Sequence, residues 1–216
     1  MAGGTGVFTR FVRLPAAPEP PAVAGDCYEV RLDDPADPGQ GRRVSVGNIS
    51  VQGGVQDFAM PYNDVAQGYA VDLDNVFDIW APGGSLSISA RGTDDFGGFA
   101  TMVAGPADIV GVSPSTAEAG ALGRGGSTVS WAAGGGDAIE IRVRAGGVNS
   151  VIECVTLDDG EMLIPAAAFG WLPAQVAMAT LEIRRVNMVE VETAAPVGTV
   201  TVALERIYSD RLPVVP

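Results

Sequence analysis

Between Ser85 and Arg91 the chain reads SLSISAR. Leu86 and Ile88 fall on one side of a two-residue period, and Ser85, Ser87 and Ser89 on the other. That alternation predicts a half-buried antiparallel strand. The same period recurs in AIEIRVR, where Ile139, Ile141 and Val143 form the inward set and Glu140, Arg142 and Arg144 the outward set. It recurs again in TLEIRRV and TVTVALERI near the C-terminus. Further strands are predicted at 27–32, 43–51, 68–73, 99–104, 109–112, 128–131, 179–186, 188–192 and 198–207. Gly/Pro/Asp clusters such as DDPADPGQG, QGGVQ, APGG and TDDFGG separate them and supply the turns. No apolar pattern of helical period runs for twelve residues, and one short helical turn is predicted at 165–172. Many short strands at close spacing predict an all-β, antiparallel sandwich.

The pattern divides the chain into an extended arm (1–24), an N-terminal β-module (25–111), a C-terminal β-module (112–208) and a tail (209–216). One continuous sandwich is the alternative to two modules. In the arm, TGVFTRFVRL reads as an exposed strand, with Phe8, Phe11 and Leu14 as its large apolar residues and Arg10 and Arg13 as its charges. The Pro-rich spacer PAAPEPPAVAG follows. The arm is expected either to pair with a sheet edge, its own or a neighbour's, or to be a disordered tail.

Charge narrows the functional classes. The formal net charge is −13, there is no histidine, and every basic residue is an arginine. The simplest source of such an Arg-, Ala-, Gly- and Pro-rich composition is a GC-rich genome. Without histidine, Ser/His/Asp and Cys/His mechanisms are excluded. Without lysine there is neither a Schiff base nor a P-loop lysine. So acidic a chain lacks the basic face that nucleic acid requires. No apolar run reaches the ~20 residues of a membrane-spanning helix. The first residues lack the apolar core of a signal peptide, while the rest reads as exported. The expectation is a protein of the extracellular space, periplasm or outer-membrane surface whose signal has been removed.

Two cysteines, Cys27 and Cys154, each lie in a strand-like run. They fit one disulfide in an oxidising compartment, with two buried thiols as the alternative. Asp158 and Asp159 precede Gly160 in IECVTLDDGEMLIPAAAF, and Asp-Asp-Gly at such a place is a turn signal rather than a catalytic carboxylate pair. In DLDNVFD, the residues Asp72, Asp74, Asn75 and Asp78 offer oxygen ligands for calcium, but the glycine and distal glutamate of a calcium loop are missing. Solvated turns are the competing reading. Trp80, Trp131 and Trp171 offer flat rings that could stack on sugar, with burial in the core as the competing reading; Trp131 and Trp171 are expected in the core, and Trp80, beside APGG, is the tryptophan expected to be exposed.

The second half also carries a resemblance. STVSW, AIEIRV, IECVTLDDGEMLIPAAAFGWLP, ATLEIRRV and GTVTVAL follow in order, led in by PGGSLSISARGTDDFGGFATMVAGPADIVGVSP. Over roughly residues 82–205 this resembles the immunoglobulin-like part of uncharacterised exported, often lipid-anchored proteins of myxobacteria and related GC-rich bacteria. The resemblance implies immunoglobulin-like modules, with Trp131 as the central tryptophan near the disulfide, and it implies no activity. A signal peptide and a lipobox cysteine, both usual in those proteins, are missing here. The function expected is therefore non-enzymatic. It is a structural or interaction protein of the cell envelope or extracellular space, with protein partners or self-association through the arm. A calcium- or carbohydrate-binding module is the alternative, and no cofactor other than calcium is expected.

Overall fold

The computed structural model describes residues 4–10, 23–24, 26–31, 45–63, 68–69, 79–81, 83–195 and 198–216, with the backbone alone at 4–10, 23–24, 68 and 118. The fold is all-β, built of packed antiparallel sheets in a sandwich-like arrangement. The strands are β1 (Gly4–Arg10), β2 (Val23–Ala24), β3 (Cys27–Arg31), β4 (Ile49–Gln52), β5 (Phe58–Met60), β6 (Tyr62–Asn63), β7 (Gly68–Tyr69), β8 (Ser85–Gly92), β9 (Gly97–Ala104), β10 (Leu122–Gly123), β11 (Ser127–Ser130), β12 (Ala138–Arg144), β13 (Ser150–Thr156), β14 (Glu161–Ile164), β15 (Met178–Glu192) and β16 (Thr199–Val215). One helical turn, α1 (Ala166–Phe169), lies between β14 and β15.

The main sheet runs β1-β16-β15-β12-β13-β3-β2, and β10 adds a short parallel pair to β16. A second sheet, β5-β4-β8-β9, and the pair β11-β14 supply the opposing layers. The alternations predicted for β8 and β12 hold. Leu86, Ile88, Ile139, Ile141 and Val143 are all fully buried.

Two hydrophobic cores result. The C-terminal core joins Ile139, Ile141, Ile152, Cys154, Leu181 and Ile183 of the main sheet to Val129, Ile164, Phe169 and Trp131 of the covering layer. The N-terminal core joins Ile49, Val51, Leu86, Ile88 and Phe99 of the second sheet to Val200, Val202 and Leu204 of β16. The cores do not follow the chain order. Cys27 of β3 belongs to the C-terminal core, and the first half of β16 belongs to the N-terminal one.

The chain crosses between cores because β15 and β16 form one very long hairpin. Fifteen residue pairs join them, from Met178 with Pro213 to Glu192 with Thr199. The expected break at Asn187 does not occur. Nor is 209–216 a free tail, since β16 continues to Val215 with Leu212 and Val214 buried. Both differences have one cause: the period of two persists through polar positions that had the look of strand ends. Residues 109–112, by contrast, form no strand and serve as the link between cores.

Cys27 and Cys154 sit directly opposite each other on β3 and β13 and form a disulfide. It closes a loop with a sequence separation of 127. In the chain-entropy model, a loop of that length stabilises by about 4–5 kcal/mol. The double substitution Cys27→Ala/Cys154→Ala should cost about 2–5 kcal/mol in urea unfolding. Alkylation before reduction should add no label to the intact mass, and two labels would refute the bridge.

Candidate functional site

The acidic turn that follows β13 separates its two carboxylates. Asp159 is exposed, whereas the side chain of Asp158 is only 2% exposed and points inward. Its Oδ1 accepts from Trp131 Nε1 at 2.8 Å and from Arg185 Nη2 at 3.1 Å. Its Oδ2 accepts from the backbone N–H groups of Gly134 (3.0 Å) and Gly136 (2.7 Å), and lies 2.8 Å from Arg185 Nε. The turn reading stands, but Asp158 is also the receptor for a buried cation. Burial opposes its ionisation, and the Arg185 guanidinium with the Gly136, Trp131 and Gly134 donors outweighs that. Its carboxyl is held below the usual carboxylate range.

Arg185 is fully buried. Besides Asp158 it donates to the carbonyls of Ala107 (3.1 Å), Asp108 (2.7 Å) and Ala132 (2.6 Å). The Gly134–Gly136 run is glycine because backbone must come this close. A Cβ on Gly134 would lie 2.5 Å from the guanidinium carbon, and one on Gly136 would lie 2.6 Å from Arg185 Cγ. Opposite Arg185 on β16 is Arg206, also buried. Its Nε lies 3.2 Å from Asp108 Oδ1, and its guanidinium stacks 4.8 Å from the centre of the Trp80 ring. Asn187, next on the inward face of β15, donates to Ala104 O at 2.9 Å. A polar belt of Arg185, Asn187 and Arg206 thus holds residues 104–108 between the two cores.

The sequence reading missed this belt, although a signal was there. In ATLEIRRV the inward set is Ala179, Leu181, Ile183 and then Arg185. In TVTVALER it is Val200, Val202, Leu204 and then Arg206. An arginine that keeps the phase of an apolar face is a candidate for burial with a partner. Trp80 corrects another expectation. It is fully buried, packs against Gly105, and donates from Nε1 to Pro106 O at 3.2 Å, so it is no surface platform. Trp131 is buried in the C-terminal core with the disulfide. Asp72, Asp74, Asn75 and Asp78 lie outside the described residues. Among the described residues, no group of three His, Cys, Asp or Glu side chains is arranged to hold a metal ion. No helix among them is long and apolar enough to cross a membrane.

The face of the main sheet turned away from the cores carries a charged row. The Tyr28 hydroxyl bonds to Glu153 Oε1, and burial followed by that carboxylate pushes the phenol well above its usual range. Glu153 Oε2 lies 2.6 Å from Arg142 Nε. Arg184 donates to Glu182 (2.6 Å) and Glu205 (3.3 Å). Burial raises the Glu205 carboxyl, against the pull of Arg184.

The feature that answers the predicted arm is β1. It pairs antiparallel with β16 of its own chain over seven positions, from Gly4 with Ile207 to Arg10 with Thr201, and Phe8 stands opposite Ala203. Phe11, Arg13 and Leu14 lie outside the described residues. Further along the same edge, Asp210 accepts from the Thr116 N–H (2.8 Å) and hydroxyl (2.9 Å), and β10 pairs at Val214 and Val215. Burial opposes ionisation of Asp210, and the Thr116, Arg211 and Tyr208 donors win, so its carboxyl too is lowered. The β16 edge is therefore covered by three separate pieces of chain, of which β1 is the longest. No family model, curated protein or solved structure matches the chain.

Asp158 generates a test with a definite sign. A depressed folded-state carboxyl stabilises above its unfolded pKa of about 4, and that stability is lost as pH falls through the lower folded value. Glu205, being raised, acts in the opposite sense. Asp158→Asn leaves Arg185 buried without its counter-charge. Urea unfolding at pH 7 should show a loss of about 3–5 kcal/mol. The gap to the unsubstituted protein should narrow as the pH falls through the acidic limb. An equal gap at all pH values would contradict the ionised assignment.

Proposed function

We propose that the protein is a non-enzymatic structural or interaction protein of the cell envelope or extracellular space, and that it associates with protein partners or with itself through the β16 edge. The observation that carries this reading is the seven-residue register of β1 on β16. Such recognition is by main-chain hydrogen bonds, which a strand from a second molecule satisfies equally well. Edge-strand addition is a recurring mode of protein association. A further fact supports the reading: a disulfide suits an oxidising compartment. The arm is then both the resting occupant of the edge and its natural competitor.

A chain lacking residues 1–14 tests the reading. Its bare edge should bind a fluorescent peptide of residues 1–14 saturably in anisotropy titrations, while the full chain, already occupied, should bind it far more weakly. The light-scattering mass of the shortened chain should differ from that of the full chain and return on adding the peptide. Absence of peptide binding together with an unchanged mass would overturn the edge as an association site.

A further inference from the structure

The main sheet narrows toward the tip of the long hairpin. β12 pairs with β15 as far as Val186. Over Met188–Glu190, among the described residues, the sheet is three strands wide, in the order β15, β16 and β1. There β1 makes a central strand of β16, which would otherwise be the edge of a two-stranded ribbon. The seven pairs also give β1 a fixed phase. Thr5, Val7 and Thr9 stand opposite Arg206, Leu204 and Val202, on the inward phase of β16. Gly4, Gly6, Phe8 and Arg10 stand opposite Ile207, Glu205, Ala203 and Thr201, on the outward phase. A slip by one residue would bring Phe8 and Arg10 into the phase of Val200, Val202 and Leu204, which belong to the N-terminal core.

The outward rows are matched in size and in charge. Ala203 is the smallest residue of the outward set on β16, and Phe8, opposite it, is the largest apolar residue of β1. β15 completes that row with Met188, which is 44% exposed. Gly4 and Gly6 fall opposite Ile207 and Glu205, the two bulkiest of the set. Directly opposite residues are the close neighbours of an antiparallel pair, so bulk on one strand goes with small size on the other. Arg10 is the only charged residue of β1, and its row is completed by Thr201 and the exposed Glu190. The strand's cation is thereby aligned with an acid, in a chain of net charge −13. A slip by two residues would keep the phase, but it would set Phe8 opposite Glu205 or Thr201 and take Arg10 out of the row of Glu190.

We propose that the β16 edge selects its strand by sequence, with Ala203 as the position that takes an aromatic residue and Glu190 as the acid that takes a cation two positions further on. The strand that meets both demands in one register is Gly4–Arg10, so the partner for which the edge is built is a second copy of this chain. The inference rests on the edge-association reading above and names the partner of that same site.

Two measurements on the full chain test it. The first is hydrogen exchange of the 4–10 segment, read by mass spectrometry. Phe8→Ala, Arg10→Glu and Glu190→Arg should each speed that exchange about twofold to fivefold, the size of one cross-strand or exposed charge pair. Arg10→Glu combined with Glu190→Arg should restore most of the loss. Unchanged exchange in β8–β9 and β12–β13 shows that the cores are intact. A segment that exchanges alike in every variant, or a double variant as fast as its parents, would overturn the selectivity and leave the edge reading standing. A segment unprotected in the unsubstituted chain would overturn both. The second measurement identifies the source of the strand. Phe8→Cys and Ala203→Cys, made in separate copies and mixed under mild oxidation, should give a mixed disulfide dimer. Phe8→Cys mixed with Glu205→Cys should not, because diagonal residues lie ~7–8 Å apart, beyond the reach of a disulfide. No dimer from the first mixture would overturn the second copy as partner, and so would equal yields from both.

Discussion

The structure turns on one buried cation. Arg185 sits on the inward face of the longest hairpin, midway between two hydrophobic cores, and spends its donors on Asp158 and on the carbonyls of Ala107, Asp108 and Ala132. Three parts of the chain that are distant in sequence meet at this side chain: the link between cores, the glycine loop after Trp131, and the acidic turn after β13. A buried ion pair costs about as much in desolvation as its attraction returns, so its net contribution to stability is small. Removing one partner is another matter, because the other charge is then stranded. The pair therefore sets where the link lies more than it adds to the total.

Arginine suits this place better than lysine would. Its planar fork carries five donors in fixed directions, and it stays charged when buried. The same use recurs elsewhere in the chain. Arg206 meets Asp108 and stacks on Trp80. Arg124 collects the carbonyls of Phe169, Leu172, Pro173 and Val176 and so closes the end of α1. Arg142 and Arg184 knit the outer carboxylates of the main sheet. In an acidic chain without lysine or histidine, arginine thus works in the interior as well as at the surface. The loops bend to it, and Gly134 and Gly136 are small because Arg185 is there.

Much of this fold can be read from the sequence, because a half-buried strand writes its two faces into alternate residues. SLSISAR and AIEIRVR state their orientation without ambiguity. The disulfide was legible because both cysteines lie in strand-like runs, and the Asp-Asp-Gly turn because its chemistry is local. What escaped was everything set by a partner far away in sequence. Trp80 stands beside a turn and so looks exposed, but Gly105, Pro106 and Arg206 enclose it. Asn187 and residues 209–215 look like a strand end and a tail because polar residues interrupt the apolar face. Asn187 is strand because the polar belt is itself paired, and 209–215 are strand because Leu212 and Val214 keep the inward phase. The edge chosen by β1 was equally hidden, since main-chain pairing leaves little mark on side-chain pattern.

If the belt couples the cores, breaking it should uncouple them. The direct measurement is native-state hydrogen exchange by mass spectrometry on the unsubstituted protein and on Arg185→Met. It compares β8–β9, in the N-terminal core, with β12–β13, in the C-terminal core. In the unsubstituted protein the most protected amides of the two regions should open with a common free energy, as one cooperative unit. In Arg185→Met the two values should separate, with one core opening while the other stays closed. Equal loss of protection in both regions, with the two values still together, would contradict the claim that Arg185 joins them.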